Sequence, residues 1–503
     1  MKGMKERRPT SMGHWSEGEA DAAAFSDARL GRRFMDLLRR FGDRMGATIP
    51  LACQDWANTK AAYRFFANPN VEEGQILSGH FEATKARYAS CESPVLLLQD
   101  TTEFTYQRRD PHPVGFTKSV NSGRDKKGRL RHHAVCGILM HSSLAVTVAG
   151  VPLGLAAVKF WNREKFKGTA QLKRKINPTR VPIEAKESIR WLDNLRQSLA
   201  LLGQPERCIH IGDRESDIYE LYCLTEELGT HFVVRTVVDR LADDGDHTVA
   251  TEMLNAASAG EHTIDMRTDG DTVERIRFDI RTKRMRVCPP IGKQKRYPSL
   301  DLTVIHAAEI GTPEGRKPIL WKLVTDIEVT CLEEAVEKLR WYAMRWKIEV
   351  FHKVLKSGCR AEDAKLRAAD RLANLLALFC IVSWRVLWMT MIARAEPDAD
   401  PSAALTPSEA AILDRLVPDR GNRGAAPNTL QLYKHTPTLH DKTRPPRRLS
   451  CQKLRSPARK HRPLARMAAA HRHPDRCRSP ALPDLWVIAS LAGCLRFGAE
   501  FTI

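Results

Sequence analysis

Three acidic residues of this 503-residue chain stand where acids do chemistry. Asp100 closes the apolar run PVLLLQ in LLLQDTTE, and Asp213 follows CIHIG in IHIGDRES. Short apolar runs of this kind read as buried strands, and the C-terminal ends of strands in α/β sheets are where active sites collect. Either aspartate alone also reads as a turn or N-cap residue. The third acid, Glu349, belongs to a group: Tyr342, Arg345, Glu349 and Lys356 stand at offsets 0, 3, 7 and 14. At about 100° per residue, a continuous helix would bring these four within roughly 60° of one another. Spacing alone leaves open an exposed, salt-bridged face, but Trp341, Trp346 and Phe351 flank the stripe. Two strand-end aspartates and a helical glutamate supply what two-metal phosphoryl transfer needs. Hard carboxylate oxygens suit Mg²⁺, and paired ions about 3.5–4 Å apart activate the attacking oxygen and neutralise the leaving one. The neighbouring cations suit the phosphates of a bound strand.

The elements that must position these groups form an α/β pattern. Residues 25–68 are helical in character, with Leu30, Phe34, Leu37 and Leu38 at helical spacing among Arg29, Arg32, Arg33, Arg39 and Arg40. Such a basic amphipathic helix either docks on a DNA backbone or is simply solvated. Strands are predicted over 94–99, 134–140, 144–148, 208–212 and 232–236, and a helix over 183–202. From about 241 to 320 the period changes to alternation: Ile276, Phe278 and Ile280 with Arg277 and Asp279, then Leu300, Leu302 and Val304 with Asp301 and Thr303. A long helix is predicted over 332–356. The picture is an α/β core interrupted by a β-rich insertion.

Length predicts two to four domains. A composition of 43% hydrophobic and 28% charged residues excludes global disorder, a fibre or a disulfide-stapled mini-protein. Lys+Arg 80 against Asp+Glu 60 gives a net charge of +20, which points to a polyanionic partner. Twelve of that +20 lie in residues 434–480, with fourteen Lys/Arg against two Asp/Glu, five His and seven Pro. That segment has no helical or strand period and cannot build a packed core. It reads as a basic arm, as a linker, or as a gene region translated out of frame. Order is lost abruptly after Tyr433, whereas Pro407–Pro418 still reads as an amphipathic helix. The twelve cysteines show no C-x-x-C pair and no zinc spacing, and read as reduced thiols of a cytoplasmic protein. No apolar h-region follows Met1–Thr10, so no secretory signal is expected. Leu375–Ala393 carries one charge, Arg385, and reads as a buried core helix rather than a membrane span.

DTT at Asp100, GDRESDIYE around Asp213 and Y-x2-R-x3-E-x6-K from Tyr342 to Lys356 resemble the DDE transposases of bacterial insertion sequences. The cut-and-paste branch bearing the Tyr-Arg-Glu-Lys signature is the one resembled. ARLGRRF at 28–34, AAYRFFANPNV at 61–71 and FHKVLKSG at 351–358 extend the resemblance, which covers residues 25–433. It implies an RNase H-like catalytic core interrupted by a β-rich insertion, with a helical N-terminal DNA-binding domain. The expected boundaries are a disordered 1–24, helices over 25–90, the core at 91–240 and 321–395, the insertion at 241–320, a helical segment at 396–433 and the basic tail at 434–503. It also implies that Asp100, Asp213 and Glu349 are catalytic metal ligands for Mg²⁺, with Mn²⁺ as a substitute. Arg345 and Lys356, with Tyr342 beside them, would meet transposon-end phosphates, and Arg235 would approach DNA. Trp321 would stack on a flipped base, its alternative being a strand core residue. Arg32, Arg33 and Arg64 complete the expected DNA contacts.

The implied reaction is a nick at the transposon end, hairpin formation by the freed 3′-OH, reopening, and attack on target DNA. The expected partners are double-stranded DNA and a second copy of the chain at synapsis, with no membrane, in the cytoplasm at the nucleoid. The triad favours an active transposase, and the tail, standing where the family keeps helices that pair two subunits, favours a binding-only remnant defective in synapsis because of an altered C-terminus. A stand-alone nuclease fits the N-terminal motifs poorly.

Overall fold

The computed structural model describes residues 14–124, 128–163, 181–267, 273–312, 315, 317–395 and 405. The expected segments at 396–433 and 434–503 lie outside the described residues, Leu405 apart. Four helices come first: α1 Ala28–Asp43, α2 Ile49–Cys53, α3 Trp56–Phe66 and α4 Glu73–Ala89. The side chain of Asp27 caps α1 by accepting from Arg29 N at 2.8 Å. Phe34, Leu37, Leu38 and Phe41 of α1 are buried, while Arg29, Arg32 and Arg39 stay exposed.

Residues 14–24 overturn the expected disorder. They form two 3-10 turns, Trp15–Gly18 and Ala22–Ala24, laid against α1 and α4. The contact is possible because Gly31 and Gly79 lack side chains. A Cβ on Gly31 would meet Ala22 O at 2.2 Å, and one on Gly79 would meet Asp21 N at 2.4 Å. Glu19 then reaches inward to His80 Nδ1 at 2.5 Å and Arg87 Nη1 at 2.6 Å. Segment 14–24 has no apolar period, so composition alone could not reveal this anchor.

The remaining elements build one large sheet. The strands are β1 Val95–Thr105, β2 Phe116–Arg124, β3 Leu130–Thr147, β4 Pro152–Trp161, β5 Cys208–Gly212, β6 His231–Arg235, β7 Leu241–Ala242, β8 His247–Thr248, β9 Ser258–Arg267, β10 Val273–Val287, β11 Leu300–Ile310 and β12 Leu320–Thr325. The helices are α5 Ile189–Leu202, α6 Tyr219–Leu228, α7 Val249–Asn255, α8 Leu332–Ala343, α9 Trp346–Lys353 and α10 Ala369–Ala395. The order is β2-β3-β1-β5-β6-β12-β11-β10-β7-β8, with β4 on β3 and β9 on β10. Strands β1, β5 and β6 run parallel, and all other pairs are antiparallel. Both faces of the central strands are covered. Leu96 and Leu98 of β1 join one apolar cluster, and Val95 and Leu97 join another. That double burial explains an uninterrupted apolar run rather than an alternating one. The β-rich stretch expected at 241–320 is present as β7–β11, and β12 pairs it to β6.

Helix α10 is apolar and long enough to cross a membrane, yet 94% of its most apolar window is buried inside the protein. It is a core helix, as its sequence suggested. Its Phe379 meets Phe41 of α1 edge to face at 5.3 Å, and its Asn374 donates to Val71 O at 2.9 Å. The N-terminal helices and the sheet thus share one apolar core, and the boundary drawn at residue 90 marks no gap in the packing.

Candidate active site

The parallel pairing of β1 with β5 ends at Leu98 opposite Ile211. Asp213 follows at once and caps the next turn, its Oδ1 accepting from Glu215 N at 2.8 Å. Asp100 differs from expectation. It lies inside β1, because the strand continues to Thr105 against β3, where Asp100 faces Ser142. It is still two residues past the last parallel pair, and so shares one end of the sheet with Asp213.

The helix expected over 332–356 is not continuous. Helix α8 ends at Ala343, and the next turn tightens: Arg345 N donates to Tyr342 O at 3.0 Å and Ile348 N to Arg345 O at 3.1 Å, both spanning three residues. Beyond α9, Val354–Gly358 widens into a π-turn, with Cys359 N donating to Val354 O at 3.0 Å. A constant 3.6-residue period therefore fails on both sides of Glu349, and the expected single stripe breaks up. Tyr342 is 6% exposed and packs edge to face on Trp321 at 5.7 Å. The Lys356 Nζ stands 5.7 Å over the Phe104 ring.

What the fold does bring together is Asp100, Arg345 and Glu349. Arg345 Nη1 donates to Asp100 Oδ2 at 3.3 Å, and Nη2 donates to Glu349 Oε1. Asp100 and Arg345 are each 19% exposed, whereas Glu349 is 54% exposed. Burial pushes the Asp100 carboxyl up to about 6. Arg345 and the Thr101 amide oppose that rise, and the charges of Asp213 and Glu349 add to it. For Arg345, burial works against the charge and is outweighed by Asp100 and Glu349, so the guanidinium is held protonated.

The donor chemistry of Asp100, Asp213 and Glu349, all carboxylate oxygen, fits a hard divalent ion. As the side chains lie, no group of three His, Cys, Asp or Glu among the described residues is close enough to share a metal. The Arg345 guanidinium is the cation between two of the three carboxylates.

A buried polar chain supports the aspartates, and the sequence did not reveal it. Arg190, 9% exposed, donates from Nε to Thr101 Oγ1 at 3.0 Å and from Nη2 to Glu215 Oε2 at 2.6 Å. It thereby ties the residue after Asp100 to the turn that Asp213 caps. Arginine cannot accept, so Thr101 turns its own proton to His141 Nδ1 at 2.9 Å, leaving His141 Nε2–H to donate to Gln99. Burial drives His141, His210 and His352 downward, the last two to about 3, so all three are neutral. His352 Nε2 and Ser142 Oγ are 2.9 Å apart, which ties α9 to β3 opposite Asp100. Glu215 sits inside the GDRES motif and was within reach of sequence reasoning. Arg190 is 23 residues before Asp213 and has no such signal.

The other expected DNA contacts divide. Arg32 and Arg64 are exposed. Arg33 is half-buried and donates to Asn58 Oδ1 at 3.0 Å, tying α1 to α3. Arg235 is half-buried and donates to Leu320 O at 3.1 Å. Trp321 is half-buried between Phe278 and Tyr342, so it packs as a strand residue here.

Residues 12–71 match the family model described as transposase DNA-binding. That span takes in segment 14–24 and helices α1–α3. The match supports a transposase and DNA as its partner.

Proposed function

We propose that the chain is a DDE transposase of the cut-and-paste branch, nicking transposon ends, forming and reopening hairpins and joining the 3′-OH to target DNA. The observation that carries this reading is the single guanidinium shared by Asp100 and Glu349, with Asp213 at the same sheet end. The strand order β4-β3-β1-β5-β6, with only β1, β5 and β6 parallel, supports an RNase H-like core. Asp100, Asp213 and Glu349 would hold Mg²⁺ or Mn²⁺. When bound, such ions activate a water or 3′-hydroxyl and offset charge on the attacked phosphodiester.

The chain's own residues do the rest. Arg345 keeps two carboxylates from repelling each other until the site is loaded. Its fork suits a phosphate as well as a carboxylate, so it can turn to the bound strand. Lys356 supplies a second cation near the end of the same helical run. Tyr342 sets the position of Trp321, which must leave its place between Phe278 and Tyr342 to stack on a base. Arg190 fixes the separation of the two aspartate-bearing segments. Arg32 and Arg64 grip the duplex from the N-terminal helices, with Arg235 nearer the insertion, and two copies pair at synapsis.

The basic composition of residues 434–480 favours a second reading, a binding-only remnant defective in synapsis because of an altered C-terminus. Cleavage of a labelled duplex carrying the element's own end, with Mg²⁺, separates the two. Wild type is expected to cut and Glu349→Gln to lose about a hundred- to a thousandfold in rate, the scale of one essential charge-stabilising group. A wild-type chain that binds but never cuts leaves the remnant reading standing.

A further inference from the structure

The outer part of β3 pairs with β2 alone. Its partners run from Phe116 opposite Cys136 to Arg124 opposite Leu130, whereas β1 pairs only from Gly137 onward. The result is a two-stranded ribbon that leaves the sheet, exposed over 118–124 and 131–133. A ribbon with no core beneath it adds little stability. Its described residues carry Lys118, Arg124, Arg129 and Arg131, with His132 and His133, and no Asp or Glu. Charged side chains can serve only to keep a sheet edge from pairing, but either sign would do that. Among the described residues of the ribbon the sign is uniform, with Lys118 at its root ion-paired to Glu103 of β1. Lys118, Val120, Arg131 and His133 share one face, by the pairing of Val120 with His133 and Lys118 with Val135.

The root of the ribbon opens on a cleft of about 680 Å³, between His133–Cys136 and residues 362–365. The two acids in its wall are engaged elsewhere. Glu362 accepts from Thr105 N at 2.7 Å and Oγ1 at 2.9 Å, and Asp363 accepts from Arg360 Nε at 2.7 Å. Asp363 is thus ion-paired, Glu362 keeps its charge because both its partners are neutral, and Arg108 and Lys365 in the same wall outweigh it, leaving the cleft cationic together with the ribbon. Strand β1 leads from Asp100 directly to its floor at Thr105.

We infer that the β2–β3 ribbon and the cleft at its root form a DNA-binding arm, separate from the N-terminal helices, that lies along a duplex. A two-stranded ribbon matches the width of a major groove, and a face of cations around Val120 suits a phosphate-lined wall. The inference rests on DNA as the partner but not on cleavage.

The test is binding of full-length protein to a random-sequence duplex, measured by fluorescence anisotropy over a range of KCl. Each lost phosphate contact lowers the slope of log K against log salt by about 0.9. Lys118→Ala/Arg131→Ala, both on the Val120 face, is expected to reduce the slope by about 1.8, with an unchanged circular-dichroism spectrum. Arg277→Ala/Arg296→Ala removes the same charge from exposed positions outside the ribbon and is expected to leave the slope alone. An unaltered slope in the first variant overturns the arm. So does an equal loss in the second, which would make the effect one of net charge, or displacement by single-stranded RNA as effective as by duplex. Because no strand is cut in this assay, a chain that shows the slope change yet never cleaves keeps the arm and loses only the catalytic reading.

Discussion

Arg345 holds the candidate site in a definite electrostatic state, and that state is measurable at one residue. Burial raises the Asp100 carboxyl to about 6, so the folded chain binds that proton more tightly than the unfolded chain does. The resulting stability is fully present below the ordinary aspartate value near 4 and is lost as pH rises through about 6. Arg345 opposes the rise, so Arg345→Gln is expected to move the Asp100 titration further upward, by about one pH unit or more. Carboxyl-carbon NMR of the metal-free protein reads it directly, and a titration that stays put or falls would mean the ion pair does not form in solution. At this scale the sequence was informative where residue type and chemistry coincide: Asp100, Asp213, Arg345 and Glu349 stood out before any fold was known. Tyr342 stood out by its spacing and Trp321 by the resemblance, and their burial against each other depends on strand pairing that spacing cannot express. Arg190 was invisible, and the role of His352 within FHKVLKSG likewise, because a buried polar side chain is defined by its partners, and those lie up to 210 residues away.

The anchor formed by Glu19 shows what an element needs in order to stay in place. His80 is fully buried and Glu19 nearly so, and each requires the other to be satisfied. His80 Nε2 accepts from Leu155 N at 3.0 Å, so its proton sits on Nδ1 and donates to Glu19. Burial pushes His80 downward despite Glu19, and the pulls of His80 and Arg87 on Glu19 outweigh its burial and hold its carboxyl low. Both shifts have the same sign for stability: each contribution is present at neutral pH and lost as acid protonates the group in the folded state. Glu19→Ala leaves a buried imidazole and a guanidinium without their carboxylate, at a cost of roughly 3 kcal/mol. Hydrogen exchange should show α1 and α4 less protected in this variant, and in wild type at acid pH. Unchanged protection would mean that segment 14–24 contributes no anchoring. The helix break after Ala343 belongs to the same scale. Periodicity located the element, but the tightened turn and the π-turn are departures that a constant period leaves out.

For the molecule as a whole, the shared core decides how binding and chemistry are joined. Phe34, Leu37 and Phe41 of the DNA-binding helices belong to the same apolar cluster as Leu98 of β1, Phe351 of α9 and Phe379 of α10. A hinge between domains would leave a polar, solvated seam, whereas here Asn374 fastens α10 to the Val71 carbonyl. Under the proposed function, a duplex gripped by the N-terminal helices would be held in fixed register with Asp100 and Glu349, and the position of a cut would be set by distance along one rigid body. Unfolding should follow the same logic. Calorimetry is expected to give one transition that includes α1–α4 and the sheet, not two. Phe41→Ala removes a ring that is 1% exposed and packed on Phe379. It is expected to cost about 3–5 kcal/mol and to lower that single transition without splitting it. If the variant instead released the N-terminal helices while the sheet kept its melting temperature, the two would be separate units. Cut position would then depend on an orientation that the shared core does not fix.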